Sequence, residues 1–202
     1  MAGMKIALLY SGYLRTWERC LPNHRETFGD FEKDITSFFY TYEHPGECVG
    51  LLRFVKNPHS FHDNPFGDHK FNTRKAPENT AFQTLNQWHS NFVGFALVPK
   101  GFDIYVRNRC DLQFNSKVDF SKYDCSGMNI YIPQGMDFGG VNDQFAFGNY
   151  EVMKIYYSVY LNCYDLWNDG VLFHSETMQM ENLKRNGVNI VRIDLPQHDI
   201  IR

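Results

Sequence analysis

The chain has 202 residues, with 20 Lys+Arg against 23 Asp+Glu, 43% hydrophobic residues and 16% aromatics. That length suits one α/β domain with a core that needs no disulfide or metal staples, and 18 Phe, 12 Tyr and 3 Trp exclude a disordered chain. A formal net charge of −3 argues against a dedicated nucleic-acid or anionic-membrane binder, which needs an excess of Lys and Arg.

Lys5 to Tyr10 is a nearly all-apolar run ended by Ser11-Gly12, the pattern of a strand buried on both faces. Its apolar part is too short for a signal-peptide core or a membrane span. Thr16 to about Phe28 reads as a helix stopped by Gly29, and Ile35 to Tyr42 as a second strand, which together make a βαβ unit. Residues 56–78 carry Pro58, Pro65, Gly67 and Pro77 and form a long loop. Phe82, Leu85, His89, Phe92 and Ala96 then fall at helical spacing, which predicts an amphipathic helix over 79–97. Strands follow at Asp103–Arg109 and Asn129–Ile132, with a short one at Gln144–Phe147. A helix from Tyr150 to about Tyr160, a last helix from Ser175 to about Asn186 and a strand at Val188–Ile193 complete the pattern. Ser175 is the expected N-cap of that last helix and Gly187 its stop. Alternating strands and helices make this an α/β protein, a central sheet flanked by helices, with no composition break inside residues 1–202. The five cysteines are widely spaced without a CxxC pair and read as reduced thiols in a cytoplasm-like compartment.

Three segments carry chemistry. The turn Ser11-Gly12-Tyr13-Leu14-Arg15 follows the first strand, where open α/β sheets bind ligands, and its N–H groups and Arg15 suit an anion. An ordinary βα turn with a surface arginine is the bland alternative, since neither GxGxxG nor GxxxxGK[ST] is present. In Arg107-Asn108-Arg109-Cys110-Asp111, a strand sends two guanidiniums to one side and ends in an acid. Such a group meets an anion or a cation-bound diphosphate, or is a surface strand with Arg–Asp pairing. In Phe138-Gly139-Gly140-Val141-Asn142-Asp143-Gln144, paired glycines allow close approach of a ligand. The buried amide–acid run there needs hydrogen-bond partners, which sugar hydroxyls could supply, with Asp143 as a base. A turn with capping residues is the plainer reading. His198, within Gln197-His198-Asp199, is a candidate metal ligand or a surface residue. His59, His62 and His69 with Asp63 and Asp68 fit no zinc spacing and read as a surface loop, a lid or an acceptor site.

Tyr10-Ser11-Gly12-Tyr13-Leu14-Arg15-Thr16, Tyr105-Val106-Arg107-Asn108-Arg109-Cys110-Asp111 and Asn142-Asp143-Gln144-Phe145-Ala146-Phe147-Gly148 form a series in chain order. The series resembles the small GT-A-type glycosyltransferases of capsular and surface polysaccharide synthesis, including the glycosyltransferase domain encoded by large chlorella viruses. The resemblance implies a single GT-A-like, Rossmann-like domain. It also implies a UDP-sugar donor, a glycan or glycoprotein acceptor, Mn2+ (or Mg2+) as cofactor and a cytoplasmic site, the host cytoplasm if the protein is viral. By the resemblance, Asp111 takes the place of the last acid of the Asp-x-Asp metal motif, while Arg109 stands where its first acid would be, and His198 matches a further metal ligand. Ser11, Gly12, Tyr13, Arg15, Tyr40 and Thr41 would line the nucleotide pocket, with Arg109 adding positive charge there. Arg74, Asn79, Gln83, Asn142 and Gln144 would contact the donor. Asp143 would be the base in an inverting transfer, or hold a donor hydroxyl in a retaining one. The replaced acid favours a rival reading, a nucleotide-sugar binding module or inactive homologue. A nucleotidyltransferase and a purely structural interaction module are further alternatives, and further chain beyond Arg202 is left open.

Overall fold

Strand β1 (Ile6–Gly12) sends Ile6, Leu8 and Tyr10 into one apolar cluster and Ala7 and Leu9 into another, so its period-two pattern already defines two covered faces. The computed structural model describes residues 4–29, 35–41, 53–56, 78–195 and 198–201, with the backbone alone at 53–56, 78–82 and 198. Around β1 the strands β2 (Ile35–Thr41), β3 (Arg53–Lys56), β4 (Ile104–Asn108), β6 (Asn129–Pro133), β7 (Phe145–Gly148) and β8 (Asn189–Ile193) form one seven-stranded mixed sheet. Its order is β3-β2-β1-β4-β7-β6-β8. β1 pairs parallel with β2 and β4, β2 with β3, and β6 with β8, whereas β7 runs antiparallel to both β4 and β6. A separate ribbon pairs β5 (Leu112–Phe114) antiparallel with β9 (His198–Ile200).

One face of the sheet is covered by α1 (Trp17–Phe28) and the ribbon. Trp17, Phe28, Leu112 and Phe114 pack there on Tyr10, Val106, Phe145 and Phe147. On the other face lie α2 (Glu78–Ala96), α3 (Tyr150–Tyr157) and α5 (Ser175–Arg185). Phe95, Tyr156, Tyr157 and Leu183 cover Leu9, Tyr105 and Ala146 there. A third cluster joins Leu85 and Trp88 of α2 to α4 (Val159–Asn168) through Leu166. Gly94 is needed at one crossing. A Cβ there would lie 2.9 Å from the Cβ of Tyr40, so α2 could not rest on β2 with any larger residue.

Several expectations hold: the elements β1, α1, β2, α2, β4, β6, β7, α5 and β8 stand within a few residues of the bounds read from the pattern. Gly29 and Gly187 end their helices at φ 96° and 69°. The single helix expected from Tyr150 is two, broken at Ser158, whose N–H bonds the carbonyls of Lys154 and Ile155. Strands β5 and β9 were not visible in the sequence, because three-residue strands have no period to read and their partners lie far apart in the chain. The apolar stripe of α2 is also rotated. Leu85, Trp88 and Phe95 are the buried apolar positions, Ala96 is exposed, and Phe82 is outside the described side chains. Cys20, Cys110, Cys125 and Cys163 are free thiols, and Cys48 lies outside the described residues. Among the described residues no helix is long and apolar enough to cross a membrane.

Candidate functional site

From β1 the chain moves to β2 on one side, while β4 pairs on the other, so β1 and β4 form the point where the winding reverses direction. Open α/β sheets leave a crevice there, beyond the carboxyl ends of the strands. A cavity of about 360 Å³ sits in that crevice. The end of β1 and its turn supply Ser11, Gly12, Tyr13 and Arg15; the end of β4 supplies Arg107, Arg109, Cys110 and Asp111. Gly12 (φ 94°) and Arg15 (φ 50°) both adopt left-handed backbone, which folds the turn back and points it over the strand ends. The wall opposite is a polar stripe of α2: Gln83, Asn86, Gln87 and Ser90, at i, i+3, i+4 and i+7.

Asp111 is 2% exposed and fully occupied by arginines. Arg109 grips it side-on, Nε to Oδ1 at 2.9 Å and Nη2 to Oδ2 at 2.9 Å, and Arg15 Nη1 donates to Oδ2 at 2.9 Å. Burial alone would raise this carboxyl, but the hydrogen bonds and charge of Arg109, then those of Arg15, outweigh it and hold it below the usual carboxylate range. Burial pushes the neighbouring Cys110 thiol up to about 12, which makes it a poor nucleophile at neutral pH. Arg107 differs from the other two arginines. It shares the face of Tyr105 on β4 and is 1% exposed. Its Nη1 donates to the Asn108 carbonyl at 2.7 Å, its Nε has no partner, and no carboxylate among the described residues pairs with it. A buried guanidinium without a counter-charge costs several kcal/mol, and its charge is directed at the cavity that it lines.

A second group stands behind α2. Asp143 Oδ2 accepts from Gln87 Nε2 at 3.1 Å and from Ser175 Oγ at 2.6 Å, while Oδ1 has no partner among the described residues. Gln87 thus touches both the cavity and this carboxylate. Ser175 is not the N-cap that its position predicts. His174 occupies the N-cap position of α5 without a side-chain capping bond, and the Ser175 hydroxyl is turned to Asp143. Burial, then the Asp143 charge, pushes Glu176 up to about 7. Gly140 permits a close approach, as its glycine pair predicts, but to protein and not to a ligand. A Cβ at 140 would lie 1.9 Å from the Glu176 carbonyl oxygen, and Val141 N–H bonds that same oxygen at 3.0 Å.

The other expected residues are distributed unevenly. Ser11, Gly12, Tyr13, Arg15, Gln83, Arg109 and Asp111 are gathered at the cavity. Ser11 is already hydrogen-bonded, its hydroxyl donating to Asn91. Tyr40 and Thr41 pair in register with Ser11 and Gly12 but are buried in the sheet and do not line the cavity. Asn142 and Gln144 are buried outside the lining, and the Asn142 amide holds its own loop, donating to the Gly135 carbonyl at 3.2 Å and accepting from Gln144 N–H at 2.9 Å. The first helical N–H of α1, that of Trp17, is bonded to Leu14 at 2.9 Å and is not open to an anion. Arg74, the loop histidines His59, His62 and His69, and Gln197 lie outside the described residues, as does the side chain of Asn79. Asn86, Gln87, Ser90 and Ser175 were missed. The spacing of 83, 86, 87 and 90 was the signal for the first three; nothing local marks Ser175.

These residues do not fit a resident divalent cation. Both oxygens of Asp111 carry guanidiniums, and among the described residues no three His, Cys, Asp or Glu side chains gather into a ligand set. β9 pairs His198 with Phe114, three residues beyond Asp111, a backbone offset of about 10 Å along a strand.

No protein-family model matches the chain, and no curated protein matches it.

Proposed function

We propose that the protein is a GT-A-like glycosyltransferase that moves a hexosyl unit from a UDP-sugar to a hydroxyl of a glycan acceptor in a reducing, cytoplasm-like compartment. The observation that carries this reading is the crevice at β1 and β4, where three arginines and an uncharged polar helix face enclose one cavity. Guanidiniums recognise phosphate oxygens through charge-assisted, planar pairs. Gln83, Asn86, Gln87 and Ser90 offer amide and hydroxyl groups of the kind that hydrogen-bond sugar hydroxyls. Tyr13, 59% exposed at the rim, supplies a ring face for a base.

In this reading Arg15, Arg107 and Arg109 offset the negative charge that grows on the leaving diphosphate. Asp143 has one oxygen tethered by Gln87 and Ser175, so Oδ1 is the atom that would take a proton from the acceptor hydroxyl in an inverting transfer. In a retaining transfer the same atom would hold a donor hydroxyl. The test is release of free UDP from a panel of UDP-hexoses, with and without short glycan acceptors, in buffer containing Mn2+ and Mg2+. Acceptor-dependent UDP release supports the reading. Absence of release with every donor, together with measurable UDP binding, would favour the rival reading of a nucleotide-sugar binding module. That rival draws on Arg109 standing where an acid is expected.

A further inference from the structure

We infer that this cavity binds the diphosphate of a nucleoside diphosphate through Arg15, Arg107 and Arg109 without a divalent cation, and that Asp111 is the internal counter-ion the ligand displaces. The inference rests on the nucleotide-sugar reading above and replaces the metal that the sequence resemblance implies.

Among the described residues, three guanidiniums and one carboxylate line the cavity, which leaves two positive charges facing it. The diphosphate of a nucleotide sugar carries two negative charges, so the lining matches it with no added ion. A dication would leave the complex with two excess positive charges.

The three arginines differ in burial and in partners. Among the described residues, Arg107 is almost fully buried, bonds only a backbone carbonyl and has an unpartnered Nε. A fold that tolerates an unpaired buried cation at a cavity wall has a place there for an anion. Arg109 is 21% exposed in its side chain and gives Nε and Nη2 to Asp111, donors that a ligand's phosphate oxygens would compete for. Arg15 holds Asp111 by one bond, and its side chain is 52% exposed. It is the arginine free to turn from Asp111 toward a phosphate. Asp111 thus takes the guanidinium donors that a diphosphate would use, and it competes with the ligand rather than assisting it.

That competition reverses the sign of one substitution. If Asp111 were a metal ligand, Asp111→Ala would abolish nucleotide binding. As a competing counter-ion, its removal strengthens binding.

The experiment is calorimetric titration of the full chain with UDP, UMP and inorganic pyrophosphate in excess EDTA, repeated with Mn2+. The expected result is UDP binding in EDTA at least about tenfold tighter than UMP, changed less than about threefold by Mn2+. Asp111→Ala should tighten UDP binding in EDTA by about threefold or more. Arg107→Gln should weaken it at least about thirtyfold, with a thermal midpoint no lower than that of the parent chain, since the substitution removes an unpaired buried charge. Arg109→Gln, monitored by circular dichroism for folding, gives a second reading should Arg107→Gln fail to fold. UDP binding that requires Mn2+ and is lost in Asp111→Ala would overturn the inference while leaving the glycosyltransferase reading in place. Failure of UDP to bind with or without Mn2+ would overturn both. Binding of pyrophosphate as tight as UDP would keep the metal-free anion site and count against the nucleoside.

Discussion

Asp111 and Glu176 are both largely buried carboxyls, and the protein treats them in opposite ways. Asp111 sits at the end of β4 between two guanidiniums that hold it ionised. Glu176 sits at the start of α5, where burial and the charge of Asp143 push it up to about 7. The first neighbourhood has more cations than its acid can neutralise; the second brings Asp143 and Asp137 to act on Glu176, beside the His174 ring at 3.4 Å and the donors Ser175 and Gln87. Arg109 feels the charge of Asp143 as well as that of Asp111, and Gln87 touches both sides. One fold thus lines its cavity with cations that favour an incoming anion, and keeps a carboxylate, Asp143, outside that lining and joined to it through Gln87.

The sharpest way to break this division is at Asp143. Asp143→Asn keeps the shape and removes the charge. UDP-hexose turnover should fall by about 10²–10⁴-fold if Asp143 is the base, with the fold retained by circular dichroism. Near-parental turnover in that variant would remove it from proton transfer. The next largest effect is expected at Gly140, where the loop bearing Asp143 meets the backbone of Glu176. Gly140→Ala places a methyl group on a carbonyl oxygen that cannot swing aside, and should cost about 3 kcal/mol or more in thermal or urea unfolding.

Glu176→Gln sharpens the comparison through pH. The folded state keeps the proton on Glu176 up to about 7, whereas the unfolded chain releases it near 4.5. The destabilisation is therefore absent below pH 4.5, grows between 4.5 and 7, and is complete above 7. Glu176→Gln should stabilise the protein by about 2 kcal/mol at pH 8 and by almost nothing through this route at pH 4, read from paired melting curves. A gain equal at both pH values would show that packing, not ionisation, is responsible. Ser175→Ala, the mildest of the four, removes a 2.6 Å hydrogen bond to Asp143. It should lower stability by about 1–2 kcal/mol and affect turnover less than Asp143→Asn.

Much of the architecture was legible from local pattern. The run at Lys5–Tyr10 alternates its contributions between two clusters, as a doubly covered strand must. Gly29 and Gly187 ended their helices as positive-φ residues do. The two-residue spacing of Arg107 and Arg109 placed both at one cavity, although β4 itself ends at Asn108. The paired glycines predict close approach of a ligand, whereas what approaches Gly140 is the Glu176 backbone, which the pattern did not show because Glu176 lies thirty-six residues away. Asn142-Asp143-Gln144 was legible as a buried polar run, yet its three members do different things. Asn142 staples its loop, Asp143 faces Gln87 and Ser175, and Gln144 is buried beside β7.

By itself the sequence determined what depends on neighbours along the chain: the strand and helix periods, the helix stops, and the position of a candidate site after β1 and β4. These follow from the backbone's two periodicities and from glycine's access to left-handed conformations. Only the tertiary structure decided the charge state and partners of the site. Asp111 reads as a metal ligand until Arg15, ninety-six residues away in sequence, is seen to close on it beside Arg109. Ser175 reads as a helix cap until Asp143 is brought to it from thirty-two residues away. Electrostatic and hydrogen-bond partnerships act through distances of a few ångströms in space, and separation along the chain carries no information about them.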